Sequence, residues 1–418
     1  MTTTKNNEHK KLNVPNLRFP EFEGEWEKSK LGTLATKVGS GSTPKGGNAV
    51  YTSVGHCFVR SQNVGMGYLI LDDIAHINDD IHQKHKATEL KENDVLLNIT
   101  GASIGRTAIA TKEIVGGNVN QHVCIIRANY KVSPKFLCNY IQTNKIQNYI
   151  LSLQTGGSRE GLNFEQIRSF PISLPGIAEQ YKIAQLLDKL NERIATQNKI
   201  IDKLQSLIKG LEDNLLDNPL WEKTYLRSFM QFFSTNSLSW EQLSYEEGEI
   251  RNLHYGLIHG FQTRGINSAS LPMIKNKAVP KQYTLCQVGD VAFADASEDT
   301  GEIAKSVEFF DTIEGETICG LHTIHGRDIK NKTVVGFKGF AFNSRYFHNQ
   351  IKRLAQGTKV FSITSNNLSS CYVYLPDLET QNAIVKLLKA YEAQLLVSRK
   401  TLTQYENQKQ YLLRQMFI

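Results

Sequence analysis

The sequence predicts an α+β protein in which two similar mixed α/β domains are separated by an antiparallel two-helix coiled coil, with pseudo-two-fold symmetry. Three observations lead to this prediction. The stretch LPGIAEQYKIAQLLDKL at 174–190 returns half a chain later as LPDLETQNAIVKLLKAY at 375–391. A narrow apolar stripe at heptad spacing follows each copy, and short apolar runs typical of strands precede each copy. The chain is therefore expected to use one structural unit twice.

Four parts are predicted along the chain, because 418 residues are too many for one ordinary core. They are a first domain at 1–177 that begins with a polar arm at 1–12, a central helix at 178–216, a second domain at 217–376 and a final helix at 377–418.

The internal repeat extends outward from the Leu-Pro stretches. Alignment of FVRSQNVGMG with EIRNLHYGLI pairs Arg60 with Arg251. Alignment of LKENDVLLN with LCQVGDVAF pairs Leu90 with Leu285. Further matches are WEKSKL (26–31) with WEKTYL (221–226), Asp94 with Asp290, and QTGGSREGLNFEQI (154–167) with AQGTKVFSITSNNL (355–368).

Each domain is predicted to be largely β with a minor α component. Apolar residues at helical spacing predict helices at 135–153 and 342–355. Short apolar runs bounded by Gly, Asn and Asp predict strands. These runs are DVLLNIT (94–100), HVCIIRA (122–128), DVAFADA (290–296) and TVVGFK (333–338).

Alternating four- and three-residue spacing of apolar side chains predicts the coiled-coil interface. Its expected positions are Ile183, Leu187, Leu190, Ile194, Gln197, Ile201, Leu204, Ile208, Leu211, Ile384, Leu388, Tyr391, Leu395, Ser398, Leu402, Tyr405 and Leu412. Gln197 and Ser398 interrupt the two stripes at equivalent places, so an antiparallel pair would bring them together. The alternative is that each helix packs on its own domain. The narrow stripe over five heptads favours a shared rod, roughly 55 Å long.

Composition permits a polyanionic partner without requiring one, since the formal net charge is +7 and the isoelectric point is near 8.9. The six cysteines include no C-x-x-C pair, so zinc ribbons lack their ligand spacing and buried free thiols are expected. The N-terminal MTTTKNNEHKK is polar, and no apolar stretch is long enough for a membrane span. A cytoplasmic protein is expected.

Motifs for catalysis are absent from the sequence. It contains no GxxxxGK[ST] phosphate loop, no GxGxxG after a strand and no Asn/Asp-Pro-Pro-aromatic tetrapeptide. His82 and His85 in HQKH could hold a metal, but a solvated surface is favoured because no further Cys/His cluster accompanies them. Asp94, Asp290 and Asp377 are interpreted as turn or helix-start residues. We therefore expect no catalytic residue, no metal and no cofactor in this chain.

Several longer stretches together carry a family resemblance. They are VPNLRFPEFEGEWEKSKLG (14–32), FVRSQNV (58–64), DVLLNITGASIGRTAI (94–109), NQHVCIIR (120–127), GGSREGLNFEQIRSFPISLP (156–175) and the LP-x-x-x-x-Q-x-x-I-x-x-LL helix starts of both halves. Through these stretches the chain resembles the specificity subunit of type I restriction-modification systems, over nearly its full length. The second domain departs most from the pattern, at 245–260 and 295–306.

The resemblance implies that each domain is a target-recognition domain for one half of a bipartite, asymmetric site in double-stranded DNA. It also implies that the coiled coil sets the spacer between the halves and scaffolds two modification (methyltransferase) subunits, with restriction and translocase subunits in the full complex. S-adenosylmethionine, ATP and Mg would then belong to those partners. The alternatives are a self-contained methyltransferase or nuclease, and an interaction scaffold or orphan (decoy) subunit without DNA readout.

Candidate DNA contacts follow from base chemistry, because Arg and Lys suit guanine whereas Asn and Gln suit adenine. For each candidate, a solvated surface role or a turn hydrogen bond is the alternative. Arg60 and Lys359 are favoured because their surroundings recur in both halves. The candidates are Lys45, Arg60, Gln62, Asn63, Arg106, Asn120, Gln121, His122, Arg159, Arg251, Asn252, His254, Tyr255, Lys275, His322, Arg327 and Lys359.

Overall fold

The computed structural model describes residues 13–154, 161–261, 263–310, 313 and 315–418. The chain forms two compact units. Unit 1 comprises residues 1–197 and 401–418, and unit 2 comprises residues 198–400. Each unit thus includes segments of both long helices, and the four-part division of the sequence stays a prediction.

Unit 1 contains nine strands and five helices before the first long helix, counted over its described residues. The strands are β1 Glu27–Lys30, β2 Ala35–Ser40, β3 His56–Val59, β4 Ala75–Ile77, β5 Val95–Asn98, β6 Thr107–Ile109, β7 Asn118–Val119, β8 Val123–Ala128 and β9 Pro171–Leu174. The helices are α1 Leu31–Leu34, α2 Asp79–Lys84, α3 Pro134–Ile141, α4 Asn144–Gln154, α5 Phe164–Arg168 and the long α6 Ile177–Leu216.

The strands of unit 1 form three small sheets, ordered β2-β8-β5-β6, β4-β3-β7 and β1-β9. The first sheet is antiparallel throughout, and β3 pairs with β7 in parallel. The strand predicted from DVLLNIT is β5, which is buried along its whole length. One core cluster joins the β2-β8-β5 sheet to α3, α4 and both long helices, and a second lies between the two larger sheets.

Unit 2 contains twelve strands and four short helices in its described residues. The strands are β10 Glu222–Tyr225, β11 Met230–Phe233, β12 Leu243–Ser244, β13 Arg251–Leu253, β14 Met273–Ile274, β15 Val291–Ala294, β16 Ala296–Ser297, β17 Ser306–Glu308, β18 Thr317–Cys319, β19 Thr323–Asp328, β20 Phe361–Ser362 and β21 Tyr372–Leu375. The helices are α7 Tyr255–Gly260, α8 Phe337–Ala341, α9 Arg345–Leu354, α10 Ser365–Ser370 and the long α11 Leu378–Gln415.

Three sheets of unit 2 repeat the order of those in unit 1, with β12 and the β16-β20 pair in addition. The order β11-β19-β15-β17 corresponds to β2-β8-β5-β6, and β10-β21 corresponds to β1-β9. The parallel pair β13-β18 corresponds to β3-β7. The internal repeat in the sequence therefore reflects one topology used twice.

Hydrogen bonds correct two of the sequence alignments between the units. The Asn120 N–H donates to Val59 O, as the Gly320 N–H donates to Leu253 O. Arg60, the next residue after Val59, therefore corresponds to His254, and its alignment with Arg251 was wrong by three residues. The slip arose because FVRSQNVGMG and EIRNLHYGLI share an Arg and a Gly five residues apart, a spacing unrelated to the pairing of β3 and β13.

The second corrected alignment concerns the segment that precedes the Asp94 and Asp290 turns. The Leu90 N–H donates to Gly117 O, and the Cys286 N–H makes the same bond to Thr317 O. Leu90 therefore corresponds to Cys286, not to Leu285.

Two predictions of secondary structure also need correction. The run TVVGFK at 333–338 is not a strand: Gly336 has φ +100° and precedes α8, which begins at Phe337. A short apolar run cannot distinguish a buried strand from a buried helix, and here the run enters a helix. The helix predicted at 135–153 is real but divided, because α3 ends at Ile141 and α4 begins at Asn144.

The two long helices pair in antiparallel fashion within each unit. In unit 1, Leu190 and Leu412 line one cavity, while the Arg193 guanidinium lies over the Tyr405 ring at 6.0 Å. In unit 2, Ile208 and Leu395 line a common cavity. None of the helices in the described ranges is long and apolar enough to cross a membrane.

Most predicted interface positions are buried, and several also belong to the cores of their own units. The buried ones are Ile183, Leu187, Leu190, Ile201, Leu204, Ile208, Ile384, Leu388, Leu395, Ser398 and Leu412. The half-buried ones are Ile194, Gln197, Leu211, Tyr391, Leu402 and Tyr405. Helix pairing and packing on the domain, weighed as alternatives, therefore occur together. The contact between Gln197 and Ser398 stays a prediction.

A buried glutamine explains the Leu-Pro-x4-Gln repeat. The Gln180 carbonyl accepts from Ser133 N at 2.8 Å, and its amide donates to Lys131 O and Pro175 O at 3.1 and 2.9 Å. Gln381 makes the same three bonds, to Val334 N, Lys332 O and Pro376 O. Each glutamine thereby ties the first turns of a long helix to its own domain.

Gln180→Leu is expected to destabilise unit 1 by about 1–3 kcal/mol, because it leaves buried backbone groups without partners. The measurement is urea unfolding followed by circular dichroism. Gln185→Leu, at an exposed position of the same helix, is the control and should change stability little. Equal stability of the Gln180 and Gln185 variants would contradict the prediction.

Candidate nucleic-acid interface

Loops converge at the carboxyl ends of β3, β5 and β7 in unit 1. The Asn98 amide donates to Ser61 O at 2.8 Å, which ties the loop after β5 to the loop after β3. The Ile99 N–H donates to His122 O at 3.0 Å, which ties it to the turn between β7 and β8. We call these three segments, 60–63, 99–106 and 120–122, the loop edge of unit 1.

Unit 2 has the corresponding loop edge at 254–261, 295–305, 320–322 and 356–362. The Asp295 N–H donates to His322 O at 3.0 Å, the same bond as that between Ile99 and His122. The Ile363 N–H donates to Asp295 O, as the Leu162 N–H donates to Ile99 O. The two edges therefore share a backbone frame and differ in their side chains.

The described contact candidates fall into three groups by exposure. The exposed ones are Lys45, Gln62, Arg106, Gln121, His322 and Lys359. The half-buried ones are Arg60, His122, Arg251, Tyr255, Lys275 and Arg327. The buried ones are Asn63, Asn120, Asn252 and His254. Arg159 lies outside the described residues.

The buried asparagines hold the loops that carry the other candidates. The Asn63 amide accepts from Arg60 N and donates to Ile70 O. The Asn120 carbonyl accepts from His122 N, which shapes the turn between β7 and β8. DNA contact by these side chains stays a prediction, and their observed partners belong to the protein itself.

Arg60 lies at the rim of the loop edge with one identified ionic partner. Its Nη2 donates to Asp73 O at 3.1 Å and lies 3.4 Å from Asp73 Oδ2, while the guanidinium lies 5.6 Å from the centre of the Tyr51 ring. Gln62 also donates to Asp73 Oδ2. Asp73 is 87 % exposed, so DNA phosphate or a base edge could replace it as the partner of Arg60.

Arg327 is engaged in a structural ion pair. Its Nε and Nη2 bond both oxygens of Asp290 at 2.8 and 2.7 Å, as Arg127 bonds Asp94 at 2.7 and 2.7 Å in unit 1. The aspartates also cap their turns, accepting from Lys91 N and Gln287 N. The turn role predicted for them is confirmed, and Arg327 has the same role as Arg127, which was not a candidate.

Sequence reasoning missed Trp240, which extends an aromatic cluster formed by three of the candidates at the loop edge of unit 2. The Trp240 and His254 rings lie 4.5 Å apart, and the Tyr255 ring lies 4.8 Å from His254 and 5.3 Å from His322. Burial lowers the pKa of His254, which is therefore neutral near pH 7 and accepts from Gly256 N. Trp240 is 46 % exposed and offers a ring face on which a base could stack. Trp240 lies outside 245–260 and 295–306, the stretches that depart from the family pattern, so nothing in the sequence indicated it.

The surface position expected for HQKH is wrong for His82. Its side chain is buried, Nδ1 bonds Asn118 Oδ1 at 2.7 Å, and its ring stacks on His56 at 3.7 Å. This occurs because α2 packs that histidine against β7.

A charged cavity of about 470 Å³ lies in unit 2 between the helix segments and the loop that precedes β17. The Arg264 N–H donates to Glu392 Oε1 at 3.1 Å, and its Nη2 lies 3.5 Å from Glu212 Oε1. Burial raises the pKa of Glu392 to about 7, although Arg264 opposes the shift, and burial also raises the pKa of Glu212.

Glu392→Gln is expected to stabilise unit 2 at pH 8 by about 1–3 kcal/mol. The pKa of Glu392 is raised on folding from 4.5 to about 7, so wild-type stability declines as pH rises through this range. The advantage of the variant should therefore disappear at pH 4.5. Urea unfolding from pH 4.5 to 8 tests this, with the exposed Glu406→Gln on the same helix as control. A difference that does not change with pH would contradict the assignment.

Comparisons with known proteins agree with this architecture. The family model described as "Type I restriction modification DNA specificity domain" matches residues 23–206 and 313–406, more than half of the chain. The type I restriction enzyme MjaVIII specificity subunit of Methanocaldococcus jannaschii is 24% identical over 347 residues, covering 78% of each chain.

Two solved structures share the fold. The type I restriction-modification S subunit from M. genitalium superimposes with a TM-score of 0.60 and 14% identity, covering 97% of this chain and 99% of that one. A structure from a type I system described for its complex assembly and conformational transition gives a TM-score of 0.54 and 15% identity, covering 93% and 96%. With the matched family model, these observations show that the chain belongs to the type I restriction-modification DNA specificity family.

Proposed function

We propose that this chain is the non-catalytic DNA-specificity subunit of a type I restriction-modification complex. Each loop edge reads one half of a bipartite, asymmetric site in double-stranded DNA, and the paired helices set the spacer between the halves. The observation that carries this proposal is one backbone frame, present in both units, that presents different side chains. Such a pair suits a target whose two halves differ in sequence.

The exposed and rim side chains of the two edges support different modes of readout. Unit 1 offers Gln62, Arg106 and Gln121, which suit hydrogen bonds to adenine and guanine edges in the major groove. Unit 2 offers the Trp240 and Tyr255 rings together with His322, which suit stacking and apolar contact. Lys45 and Lys359 are exposed cations in loops and suit phosphate contacts, which position the protein on DNA.

The partners of the complex are part of the proposal. Two modification subunits would dock on the helices and recognition domains, bind S-adenosylmethionine and methylate adenine. Restriction and translocase subunits would use ATP and Mg. The described residues of this chain supply the frame and the reading side chains.

The test of the proposed function uses the full chain assembled with modification subunits. Protection of two separated half-sites on DNA, and methylation only when the modification subunits are present, is the expected result. Methyl transfer by the chain alone would contradict the non-catalytic role. An assembled complex that protects no specific sequence would favour the second candidate, an interaction scaffold or orphan subunit without DNA readout.

Arg60→Ala is expected to weaken binding of the assembled complex to its cognate site by about 1–3 kcal/mol if the contact is bidentate. The measurement is the dissociation constant at fixed salt. Asp73→Ala is the matched control, because it removes the partner of Arg60 and leaves the guanidinium available. We expect unchanged or tighter binding for that variant. Equal affinity of the Arg60 variant and wild type would remove Arg60 from the interface.

A further inference from the structure

Unit 2 brings two cysteines and a histidine together in its interior. Cys286 precedes β15, Cys319 ends β18 and His325 lies in β19, and all three are at most 7% exposed. One ligand atom from each lies within 4.8 Å of the others. The two sulfurs are 3.6 Å apart. Two thiolates on one tetrahedral Zn²⁺, with Zn–S bonds near 2.3 Å, would lie about 3.8 Å apart.

The equivalent positions of unit 1 show that the fold does not require these residue types. Leu90 corresponds to Cys286 through the bonds to Gly117 O and Thr317 O. Val119 corresponds to Cys319, because the residue after each one donates its N–H to the last residue of β3 or β13. The third pair is Ile125 and His325, which face Leu96 and Ala292 in equivalent strands.

The corresponding residues of unit 1 are all aliphatic and belong to an apolar core cluster. Aliphatic side chains are therefore enough to fill these three positions of the fold. Unit 2 replaces all three with the side chains that zinc prefers, thiolate and imidazole. We propose that Cys286, Cys319 and His325 bind a Zn²⁺ ion in unit 2, a site that goes beyond the proposed DNA reading.

The surroundings of the cluster match those of a metal-binding histidine. His325 Nε2 lies 2.7 Å from Asp290 Oδ2, and both side chains are 1% exposed. A carboxylate that accepts from one ring nitrogen orients the ring and leaves the other nitrogen free to bind a metal. Asp290 is itself held by Arg327, so the orienting group is fixed.

A buried hydroxyl lies on the same strand face as Cys319. Thr317 is directly opposite Cys286 and two residues before Cys319 in β18, so it shares their face of the strand. Its Oγ1 is buried and has no hydrogen-bond partner among the described residues. This hydroxyl adds an unpartnered polar group to the buried region around the cluster.

A fourth ligand and a route to the site are available through a neighbouring cavity. This cavity of about 480 Å³ is lined by Cys319, Tyr283 and Asn236 among others. A water molecule entering there would complete four-coordination.

The experiment measures zinc in the purified full-length chain, expressed without a histidine tag and kept under reductant. Elemental analysis should give one zinc per chain. The variant Cys286→Leu/Cys319→Val/His325→Ile, which carries the residues of unit 1, should contain none while keeping its circular dichroism spectrum. Cys57→Ser, outside the cluster, should keep the full zinc content.

Cobalt provides a second measurement that does not depend on the folding of the triple variant. The wild-type chain, stripped by chelator and titrated with Co²⁺, should show thiolate-to-cobalt charge-transfer absorption that saturates at one equivalent. Absence of zinc together with absence of this absorption would overturn the proposal. A Cys286–Cys319 disulfide in protein alkylated at harvest would overturn it as well.

Discussion

Lys338→Met is expected to destabilise unit 2 by about 3–5 kcal/mol, because it leaves a buried carboxylate without its counter-ion. Lys338 and Glu308 are 2% and 0% exposed, and Lys338 Nζ lies 3.0 Å from Glu308 Oε1. The carboxylate also accepts from Gly336 N and Gly339 N at the start of α8. Loss of the lysine therefore removes the principal counter-charge of Glu308. Urea unfolding monitored by fluorescence measures the effect.

The pH dependence of this variant has a defined sign. Burial raises the pKa of Glu308 even in the wild type, where Lys338 opposes the shift. Without Lys338 the carboxyl should take up a proton more readily, which reduces the cost. The deficit in stability should therefore shrink as pH falls from 8 to 5. A deficit that grows over that range would contradict the assignment.

Two further variants distinguish the buried pair from an ordinary surface pair. Glu308→Gln/Lys338→Met removes both charges and should be more stable than Lys338→Met alone. Lys332→Met breaks an exposed pair, in which Lys332 lies 3.8 Å from Glu222, and should cost less than about 1 kcal/mol. A double variant less stable than Lys338→Met would show that the buried charge is not the cause.

Asp94→Ala is expected to destabilise unit 1 by about 3–5 kcal/mol, because it breaks a buried, bidentate ion pair. Asp94 is 1% exposed, and Arg127 Nε and Nη2 each lie 2.7 Å from its oxygens. An arginine guanidinium stays charged at all working pH values, so the guanidinium of Arg127 would be left without its counter-ion. The turn before β5 would also lose the acceptor of Lys91 N.

The equivalent aspartate of unit 2 provides the comparison for this prediction. Burial raises the pKa of Asp290, but the bonds from Arg327 and His325 lower it more, so it lies below its ordinary value of 3.8. The stability that this shift contributes is present above that value and lost as pH falls through the folded pKa.

Asp94→Ala/Arg127→Met should recover part of the loss in unit 1. No recovery in the double variant would mean that the turn, not the ion pair, carries the effect.

The internal repeat, the positions of both long helices and the Leu-Pro-x4-Gln starts could all be read from the sequence. Hydrophobic periodicity and the Pro and Gly residues at element ends are local signals, so they can be recognised in a single sequence without an alignment. Gln180 and Gln381 are an example, because the repeated glutamine in the sequence corresponds to the same three hydrogen bonds in both units. The loops on which most of the polar candidates lie could also be predicted, whereas the exposure of each side chain could not.

The local sequence did not determine which residues correspond between the two units, or which side chains contact one another. Arg60 was aligned with Arg251 rather than His254, and Leu90 with Leu285 rather than Cys286, because strand register depends on hydrogen bonds between segments far apart in the chain. The run at 333–338 is helical in part because tertiary packing decides between short buried strands and helices.

The arrangement of the reading edges and of the buried groups behind them was decided only by the tertiary structure. Asn63, Asn120, Gln62 and Gln121 were equally good candidates for DNA contact from the sequence. In the structure the two asparagines are buried, whereas the two glutamines are exposed. The Cys286, Cys319 and His325 cluster has no short-range spacing, because β15, β18 and β19 bring it together. The sequence by itself determined the duplicated plan and its family, whereas long-range strand pairing decided which side chains are exposed at the loop edges and which contact one another in the interior.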